Sequence, residues 1–524
     1  MNLKQKLWWA QHRTDVYKYS TIILLFLVVI ISIIYFTYSK FSSSNEMTMY
    51  ETTVEPFIKN DYFIASYIDG EWSNEIPGKN DGYGVDKIVC DNGAVGTWDN
   101  DKWAITIENA TKKIKCGVYF VPKKYTDNVI AEAPVLAQGM IPVKFDAAGN
   151  VVVADTYAKW YDYEAHEWAN AVLVNCADSA IKSKYFDSNN KVLASAVGKT
   201  ISMDEIMQMY VYIPRYKYQL FNAEDGTSVE QAINITFESK TTAKSSGTKN
   251  GEWLTHPAFT FGDKELAGIW VGKFETSNTS SLPKIVPNVS SLRDMNVSQQ
   301  FNTSRLMTTK LASTYGTSTN DDSHMMKNME WGAVAYLSSS IYGRYTNAST
   351  CIESGCKIWI NNNSSFTTGC AGSSVNTSEA STCNAWNTST GVNASTTSNI
   401  YGIYDMSGGA AEYVMGNYND TISSAGFSSM PEAKYYDKYT GTNSNSDFTK
   451  YHLGDATKET LKSKAKIRVT FWYNVYYSIS EYISTWVYRG GFYVNSANAG
   501  VFGFSNSEGS EYSYISFRVV LNAL

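Results

Sequence analysis

Charge is scarce in this sequence: only 18% of its 524 residues are Asp, Glu, Lys or Arg, and the net charge is -6. No stripe of Lys and Arg interleaves with aromatic residues outside the N-terminal segment, so the attraction to a phosphate backbone that nucleic-acid binding needs is missing. We therefore expect no nucleic-acid partner. Histidine is also scarce, and its spacing does not predict a metal site. The five histidines are His12, His166, His256, His324 and His452.

Cysteine is limited to seven residues, and none follows Cys383. In an exported chain thiols are oxidised, so we expect disulfides. Cys90 and Cys116 each border a predicted strand, which favours a bond between them over the alternative of two reduced core thiols. The Ser-, Thr- and Asn-rich insertion 344–400 holds four cysteines, and local bonds are favoured over a zinc site because only one pair has a short spacer. The predicted disulfides join Cys90 to Cys116, Cys351 to Cys356 and Cys370 to Cys383, and the partner of Cys176 stays open.

One long apolar run stands near the N-terminus, where no charged residue occurs from Tyr19 to Ser39. A helix of this length crosses a hydrocarbon core of about 30 Å. More Lys and Arg precede the run than follow it, which predicts a cytoplasmic tail at 1–18, a transmembrane helix at 19–39 and extracellular domains after it. We therefore predict a single-pass protein of the bacterial cell membrane, with the lipid bilayer as a partner. The alternatives are a cleaved signal peptide, for which no Ala-x-Ala-like site is present, and a pilin-type helix, for which no processing site is present.

Aromatic and turn-forming residues dominate the remainder, since the chain contains 38 Tyr, 14 Trp and 35 Gly. This composition favours short strands and many turns. Apolar runs and turns predict a small β domain at 46–135 and a β stalk or linker at 136–205, followed by a large domain at 206–524. Two helices are predicted in that domain, at about 297–307 and 326–340. The core-facing stripe of the second helix is Met326, Met329, Ala333 and Leu337.

Three motifs stand in the large domain: residues 401–414 read YGIYDMSGGAAEYV, residues 488–491 read YRGG and residues 516–521 read SFRVVL. These motifs resemble those of the formylglycine-generating-enzyme family, the sulfatase-modifying factors. The motifs follow the order that the family has. Residues 270–276 are similar to the family's entry strand and residues 329–336 to its core helix. The resemblance covers roughly residues 210–521.

The resemblance implies an irregular α+β fold akin to C-type lectins, so the predicted fold class is α+β, with small β units and a transmembrane helix before the lectin-like domain. In the enzymatic branch a C-terminal cysteine pair holds copper, and this chain has no cysteine after the first motif. We therefore predict a non-catalytic protein without a metal or cofactor. The alternative is a formylglycine-generating-type oxidase or a related sulfatase-modifying enzyme.

A structural calcium ion is the one cofactor that the resemblance leaves open. Gly409, Ala411 and Tyr413 depart from the family pattern where calcium is sometimes held, and only Glu412 is kept. For Glu412 and Asp405 we favour a hydrogen-bonding role that stabilises the loop.

The segment 471–515 is the predicted binding region. Residues 492–515 resemble the variable region of lectin-fold proteins diversified by retroelements, in which mutagenesis of Asn codons yields Tyr, Ser, Phe, Asp, Ile, Val and Gly. Tyr and Trp supply stiff contact area, whereas Ser, Asn and Gly adapt their hydrogen bonds. The alternative is that such clusters arise by chance and that Val501 and Phe504 are core strand residues.

The predicted function is that of an adhesin- or receptor-like protein, bacterial or prophage-encoded, that binds a protein or glycan on another cell or phage. The predicted ligand-binding residues are Trp472, Tyr473, Asn474, Tyr476, Tyr477, Phe492, Tyr493, Val494, Asn495, Asn498, Gly503, Ser505, Asn506, Ser510, Tyr512, Tyr514 and Ile515.

Overall fold

The chain divides into two compact units, Met1–Lys124 and Tyr125–Leu524. The boundaries predicted near residues 135 and 205 therefore fall inside the second unit. The computed structural model describes residues 5, 12–14, 62–68, 71–79, 82–99, 102–108, 114–224, 227–352, 356–375, 377–440, 451–462, 469–470, 472, 476–477 and 485–524.

The predicted membrane helix at 19–39 lies outside the described residues. Within those residues, no helix combines the length and the apolar character needed to span a bilayer. The longest described helix has 11 residues and is therefore about 17 Å long at 1.5 Å per residue, whereas the hydrocarbon core of a bilayer is roughly 30 Å thick. This finding conflicts with the prediction of a single-pass membrane protein, and we withdraw both the transmembrane helix and the membrane localisation.

The described strands of the first unit form a four-stranded sheet and a hairpin that packs on it. The strands are β1 (Tyr62–Ile68), β2 (Glu71–Ser73), β3 (Tyr83–Cys90), β4 (Val95–Asp99), β5 (Ala104–Glu108) and β6 (Ile114–Pro122). The sheet has the order β2-β1-β6-β3, and β4 and β5 form the hairpin. Trp98 of the hairpin packs edge-to-face against Phe120 of β6 at 5.5 Å. Cys90 and Cys116 lie opposite each other on β3 and β6 and form the predicted disulfide.

The second unit contains the remaining described strands and four helices. The strands up to residue 284 are β7 (Ile141–Phe145), β8 (Val151–Val153), β9 (Asn170–Val174), β10 (Ile206–Pro214), β11 (Tyr216–Gln219), β12 (Ile235–Phe237), β13 (Trp253–Thr255), β14 (Thr260–Phe261), β15 (Lys264–Glu265), β16 (Gly268–Gly272), β17 (Ser277–Thr279) and β18 (Leu282–Lys284). The later strands are β19 (Asp322–Met325), β20 (Cys370–Ala371), β21 (Asn384–Ala385), β22 (Ala411–Tyr418), β23 (Asp437–Tyr439), β24 (Val469–Thr470), β25 (Tyr476–Tyr477), β26 (Trp486–Gly490), β27 (Gly500–Ser507), β28 (Ile515–Phe517) and β29 (Val519–Asn522). The helices are α1 (Ser179–Tyr185), α2 (Val297–Ser304), α3 (Ala312–Tyr315) and α4 (Asn328–Ser338).

A seven-stranded antiparallel sheet, in the order β19-β29-β16-β10-β9-β7-β8, forms the centre of the second unit. Strand β10 reads IMQMYVYIP, and all nine of its residues are buried. A nearly continuous apolar and aromatic run of this length is expected where a strand is covered on both faces. The residues predicted as a stalk, 136–205, supply β7, β8 and β9 to this sheet, so they belong to the same core.

The described chain is mostly β-structure with few helices, so the predicted α+β class is wrong. Helices α2 and α4 do lie where the sequence predicts them, but they have only 8 and 11 residues. Asn296 caps α2, since its side chain accepts a hydrogen bond from the Gln299 N–H at 3.0 Å. Every residue of α4 is buried, so its stripe is core and the helix has no solvent-facing side. The remainder of the unit forms short paired strands and loops.

A second sheet, in the order β23-β22-β26-β27, positions the C-terminal loops, and β28 pairs with β22 as well. Strand β22 holds Glu412 opposite Arg489 of β26 and opposite Ser516 of β28. The three motifs of the sequence therefore lie on three neighbouring strands.

The insertion 344–400 is tied by the two disulfides that the sequence predicts, Cys351–Cys356 and Cys370–Cys383. Cys176 is buried and forms no disulfide.

Candidate functional site

The motif residues form a buried polar layer, which we define as Glu275, Asp405, Glu412, Arg489 and Arg518 and call the motif layer. Arg518 donates from Nε to Glu412 Oε2 at 3.0 Å, and its other nitrogens donate to the carbonyls of Gly272 and Tyr404. Arg489 donates to the carbonyls of Asp455 and Ala456 at 3.2 and 3.1 Å. Both guanidinium groups thus hold distant backbone segments together, which is a structural role.

Donors of the chain also bind the carboxylates of the motif layer, although Glu275 Oε2 has no hydrogen-bond partner among the described residues. Asp405 accepts from Asn361 Nδ2 at 2.8 Å and from the Gly369 N–H at 2.9 Å. Glu275 accepts from the Ala410 N–H at 2.9 Å. A Cβ at position 409 would lie 2.5 Å from Glu275 Oε1, so the second glycine of the Ser-Gly-Gly turn is required by packing.

Burial raises the pKa of Glu275 well above its usual value, and the neighbouring Asp405 and Glu412 raise it further against the opposing effect of Arg518. In the part of the chain that the structure describes, no three Cys, His, Asp or Glu side chains are arranged to hold a metal ion. The loop-stabilising role favoured for Asp405 and Glu412 accounts for the contacts of both residues.

The loop after β26 is fixed to this layer. Gly490 and Gly491 have φ values of 82° and 69°, which reverse the chain at low steric cost. The Phe492 N–H donates to Asn495 Oδ1 at 2.7 Å, and the Tyr493 N–H donates to the carbonyl of Gly409 at 3.0 Å. The side chain of the predicted ligand-binding residue Asn495 therefore stabilises the loop. These hydrogen bonds fix the backbone that carries the neighbouring aromatic side chains.

Five half-buried aromatic side chains from three segments form one continuous series of ring contacts, which we call the aromatic face: Phe366, Phe492, Tyr493, Tyr512 and Tyr514. Phe366 meets Tyr493 edge-to-face at 4.7 Å. Phe492 contacts Tyr493 at 6.0 Å and stacks on Tyr514 at 4.9 Å. Tyr512 and Tyr514 lie 5.2 Å apart. Mutual packing limits the motion of these rings, although each keeps part of its surface in solvent.

Phe366 and Arg293 also belong to the site at the aromatic face, and neither residue is predicted from the sequence. The Arg293 guanidinium lies 3.9 Å from the centre of the Phe366 ring. Phe366 has a φ of 54°, which is uncommon for a bulky residue, and it occupies a turn of the disulfide-bonded insertion. Only tertiary contacts such as the Ser291 N–H to Phe366 O bond, 3.0 Å, bring this turn to the C-terminal loops. No local signal in the Ser-, Thr- and Asn-rich insertion identifies it.

Polar groups fix the other end of the aromatic face. Glu508 accepts from the Tyr512 hydroxyl at 2.9 Å and from the Ser510 hydroxyl at 3.0 Å. Burial together with the hydrogen bond to Glu508 raises the pKa of Tyr512 to about 12. Burial also raises the pKa of Tyr514. Both phenols are therefore neutral at physiological pH and can donate hydrogen bonds.

The predicted ligand-binding residues separate into three groups. Those with exposed or half-buried side chains are Phe492, Tyr493, Val494, Asn495, Asn498, Ser510, Tyr512 and Tyr514. Those that are buried are Trp472, Gly503, Ser505, Asn506 and Ile515. Tyr473 and Asn474 lie outside the described residues, and for Tyr476 and Tyr477 only the backbone of β25 is described. The structure thus places roughly half of the predicted set at a surface and corrects the prediction for the buried residues.

The buried group is explained by the packing of β27, whose eight residues are all buried. One edge of the strand pairs with β26, and Phe502 contacts the ring of Trp472 at 5.4 Å. Trp472 donates from its indole N–H to the Ser228 hydroxyl at 2.7 Å, so it is a core residue rather than a surface contact. Val501 and Phe504 are 4% and 1% exposed, which agrees with the alternative prediction that these two residues are core strand residues.

No family model and no curated protein matches the chain. Among solved structures, the chain is similar to Treponema denticola variable protein 1, with 13% sequence identity and a TM-score of 0.25. The match covers 62% of this chain and 98% of that chain. A TM-score this low does not establish a shared fold.

Proposed function

We propose that this chain is a ligand-binding surface protein that recognises a protein partner through its aromatic face. The observation that carries the proposal is the series of ring contacts from Phe366 to Tyr512, in which five half-buried aromatic side chains lie on a loop frame held by the motif layer. Aromatic residues and Arg are enriched among the few interface residues that supply most of the binding energy between proteins. Arg293 adds the cation at one end of the face.

The exposed and half-buried positions of residues 492–514 are also the positions that we propose to be diversified, except Asn495, whose side chain fixes the loop. They carry Phe, Tyr, Val, Asn and Ser side chains, the mixture expected at surface positions of retroelement-diversified variable proteins. The frame around them depends on fully buried residues such as Arg489 and Arg518. Diversification is compatible with folding only if it is confined to side chains on which the frame does not depend.

We further propose that the chain binds without catalysis. Six of its seven cysteines are bonded in pairs and Cys176 is buried, so no pair of free thiols resembles the one that the formylglycine-generating oxidases use. Incubation of the full chain with copper and a cysteine-containing peptide should oxidise the peptide no further than copper does without the protein. Oxidation of the peptide beyond a control without protein would favour the oxidase instead.

The first test is to sequence the codons for the segment 471–515 and its neighbouring residues from many cells of one population. We expect substitutions to concentrate at the codons for Phe492, Tyr493, Tyr512 and Tyr514 and to be rare at the codons for buried residues. The buried residues that serve as the internal control are Arg489, Val501, Phe504, Phe517 and Arg518. Equal constraint at the two groups would contradict a diversified face.

Binding itself is tested with the immobilised full chain and a display library of protein fragments from the same community. We expect clones enriched by the unsubstituted chain to lose binding to the Tyr493→Ala, Tyr514→Ala double variant. A Tyr157→Ala variant is the matched control, because Tyr157 is 55% exposed and lies outside the aromatic face. Clones that bind the two variants equally well would show that the face is not the recognition surface.

A further inference from the structure

A cleft of about 1000 Å³ opens in the second unit, and none of its walls belongs to the segment 471–515. The turn between β7 and β8 contributes Gly149 and Asn150, and the segment 200–206 contributes a second wall. Strands β17 and β18, the residues up to Ser290, and Trp386 with Asn387 close the remainder. This volume is at the upper end of the range of about 300–1,000 Å³ that small-ligand sites occupy.

The lining of the cleft is polar but almost uncharged. Its charged side chains are one cation, Lys284, and one carboxylate, Asp204, and the Ser202 hydroxyl already donates to Asp204. The remaining polar groups are amides and hydroxyls. A balanced and largely neutral lining does not select a phosphorylated or acidic ligand, which would need an excess of Lys and Arg.

Two amide side chains of the cleft have no hydrogen-bond partner in the described protein: Asn288 and Asn387. By contrast, the amides of Asn150 and Asn278, also in the cleft, are bound to Asp146 Oδ2 at 2.8 Å and to the Leu282 carbonyl at 2.7 Å. A primary amide both donates and accepts, so each unoccupied amide can meet two adjacent hydroxyl groups of one ligand.

Apolar contact area accompanies these amides. Met203 and Val289 are 41% and 39% exposed, and both line the cleft. A sugar ring presents hydroxyl groups at its rim and C–H groups on its faces. The two amides can bind the hydroxyl groups of a sugar ring, and the exposed aliphatic groups can pack against its C–H faces. A uniformly polar wall would match only the hydroxyl groups.

We propose that this cleft binds an uncharged oligosaccharide. The site is separate from the aromatic face, although the two share a ridge: Ser290 lines the cleft, and Arg293 on the same segment contacts Phe366. Because the cleft lies outside the segment 471–515, its specificity stays constant while the aromatic face changes.

The test is calorimetric titration of the full chain with cellohexaose, maltohexaose and chitohexaose. The variant is Asn288→Gly combined with Asn387→Ala, since glycine suits the φ of 63° at position 288 and both side chains are exposed. We expect at least one of the three probes to bind and the double variant to lower its affinity at least tenfold. The Tyr493→Ala, Tyr514→Ala variant of the aromatic face should keep that affinity.

Three results overturn the proposal: binding of none of the three probes, binding that the cleft variant does not weaken, and binding that only the variant of the aromatic face abolishes. The last result would move the oligosaccharide to the aromatic face. The protein-fragment selection with the Tyr493→Ala, Tyr514→Ala variant reports on the aromatic face by itself, so failure at one site is distinguishable from failure at the other.

Discussion

The motif layer and the aromatic face lie a few residues apart in the chain but are stabilised in different ways. Arg489 is fully buried, and its guanidinium donates to two backbone carbonyls more than 30 positions away in sequence. Phe492, three residues later, is half-buried and contacts Tyr493 and Tyr514. Loss of a side chain from the motif layer leaves buried polar groups without hydrogen-bond partners. Loss of a side chain from the aromatic face removes only contacts among rings. Substitution should therefore be costly in the first region and tolerated in the second.

The sharpest form of this comparison uses two phenylalanines of one segment. Phe504 is 1% exposed in β27, and Phe492 is half-buried in the aromatic face. We expect Phe504→Ala to lower the free energy of unfolding by about 3–5 kcal/mol, because it leaves a cavity in the core. Phe492→Ala should cost about 1 kcal/mol. Urea unfolding followed by circular dichroism measures both variants, and equal losses would show that residues 492–514 have no tolerant surface.

The ion pair of the motif layer provides the second comparison. Glu412→Gln removes the charge opposite Arg518 in a place where both side chains are at most 1% exposed. We expect a loss of about 3–5 kcal/mol in the free energy of unfolding, because the guanidinium stays buried without its counter-charge.

The control for this variant is Lys438→Met, which breaks the ion pair with Asp420. The two side chains of that pair are 50% and 38% exposed, so the loss should stay below about 1 kcal/mol. Urea unfolding measures both variants. A Glu412→Gln variant as stable as the unsubstituted chain would mean that Glu412 carries a proton when folded, in line with the raising effect of burial on its pKa.

The sequence identified the motifs and the chemistry of the C-terminal segment because both are local. Three adjacent strands bring residues 411–413, 488–490 and 515–517 together, and all three disulfides join the predicted partners. The features that the sequence did not reveal depend on tertiary packing. Strand β27 alternates small and aromatic residues as a half-exposed strand would, yet it is covered on both faces, so Ser505 and Asn506 are buried.

The fold class was misjudged for a related reason. The family resemblance implies an α+β fold, but the residues between and around the motifs form mainly short strands. Residues 136–205 have the pattern of a separate β element, and only their pairing through β9 with β10 shows that they extend the central sheet. Phe366 illustrates the same limit at the site, because its place in the aromatic face follows from a turn that no sequence motif marks.

A buried histidine network gives a third comparison, this time with pH as the variable. His324 lies between Asp322 Oδ1 at 2.8 Å and Glu330 Oε1 at 3.0 Å, and the ring stacks on Phe261. Burial alone lowers the pKa of His324, but the charges and hydrogen bonds of Glu330 and Asp322 outweigh it and raise the pKa to about 9. The same contacts lower the pKa values of both carboxyl groups.

A folded pKa above the unfolded value of 6.5 means that this stabilisation is complete below pH 6.5 and is lost as the pH rises through about 9. We expect the free energy of unfolding to fall by about 3 kcal/mol across that interval. This contribution to the pH dependence should disappear in His324→Gln, and an unchanged pH dependence in that variant would assign the effect to another group.

The smallest expected effect concerns the rim of the aromatic face. Tyr512→Phe removes the hydroxyl that donates to Glu508 but keeps the ring contact with Tyr514. Because a partly exposed hydrogen bond contributes about 1 kcal/mol or less, thermal unfolding should change little. If this bond holds the loop 508–514 in place, the same variant should weaken clones selected on the face more than its stability loss explains, since the loop must then be ordered on binding. Clones that bind Tyr512→Phe and the unsubstituted chain equally well would show that the stacked rings alone position the loop.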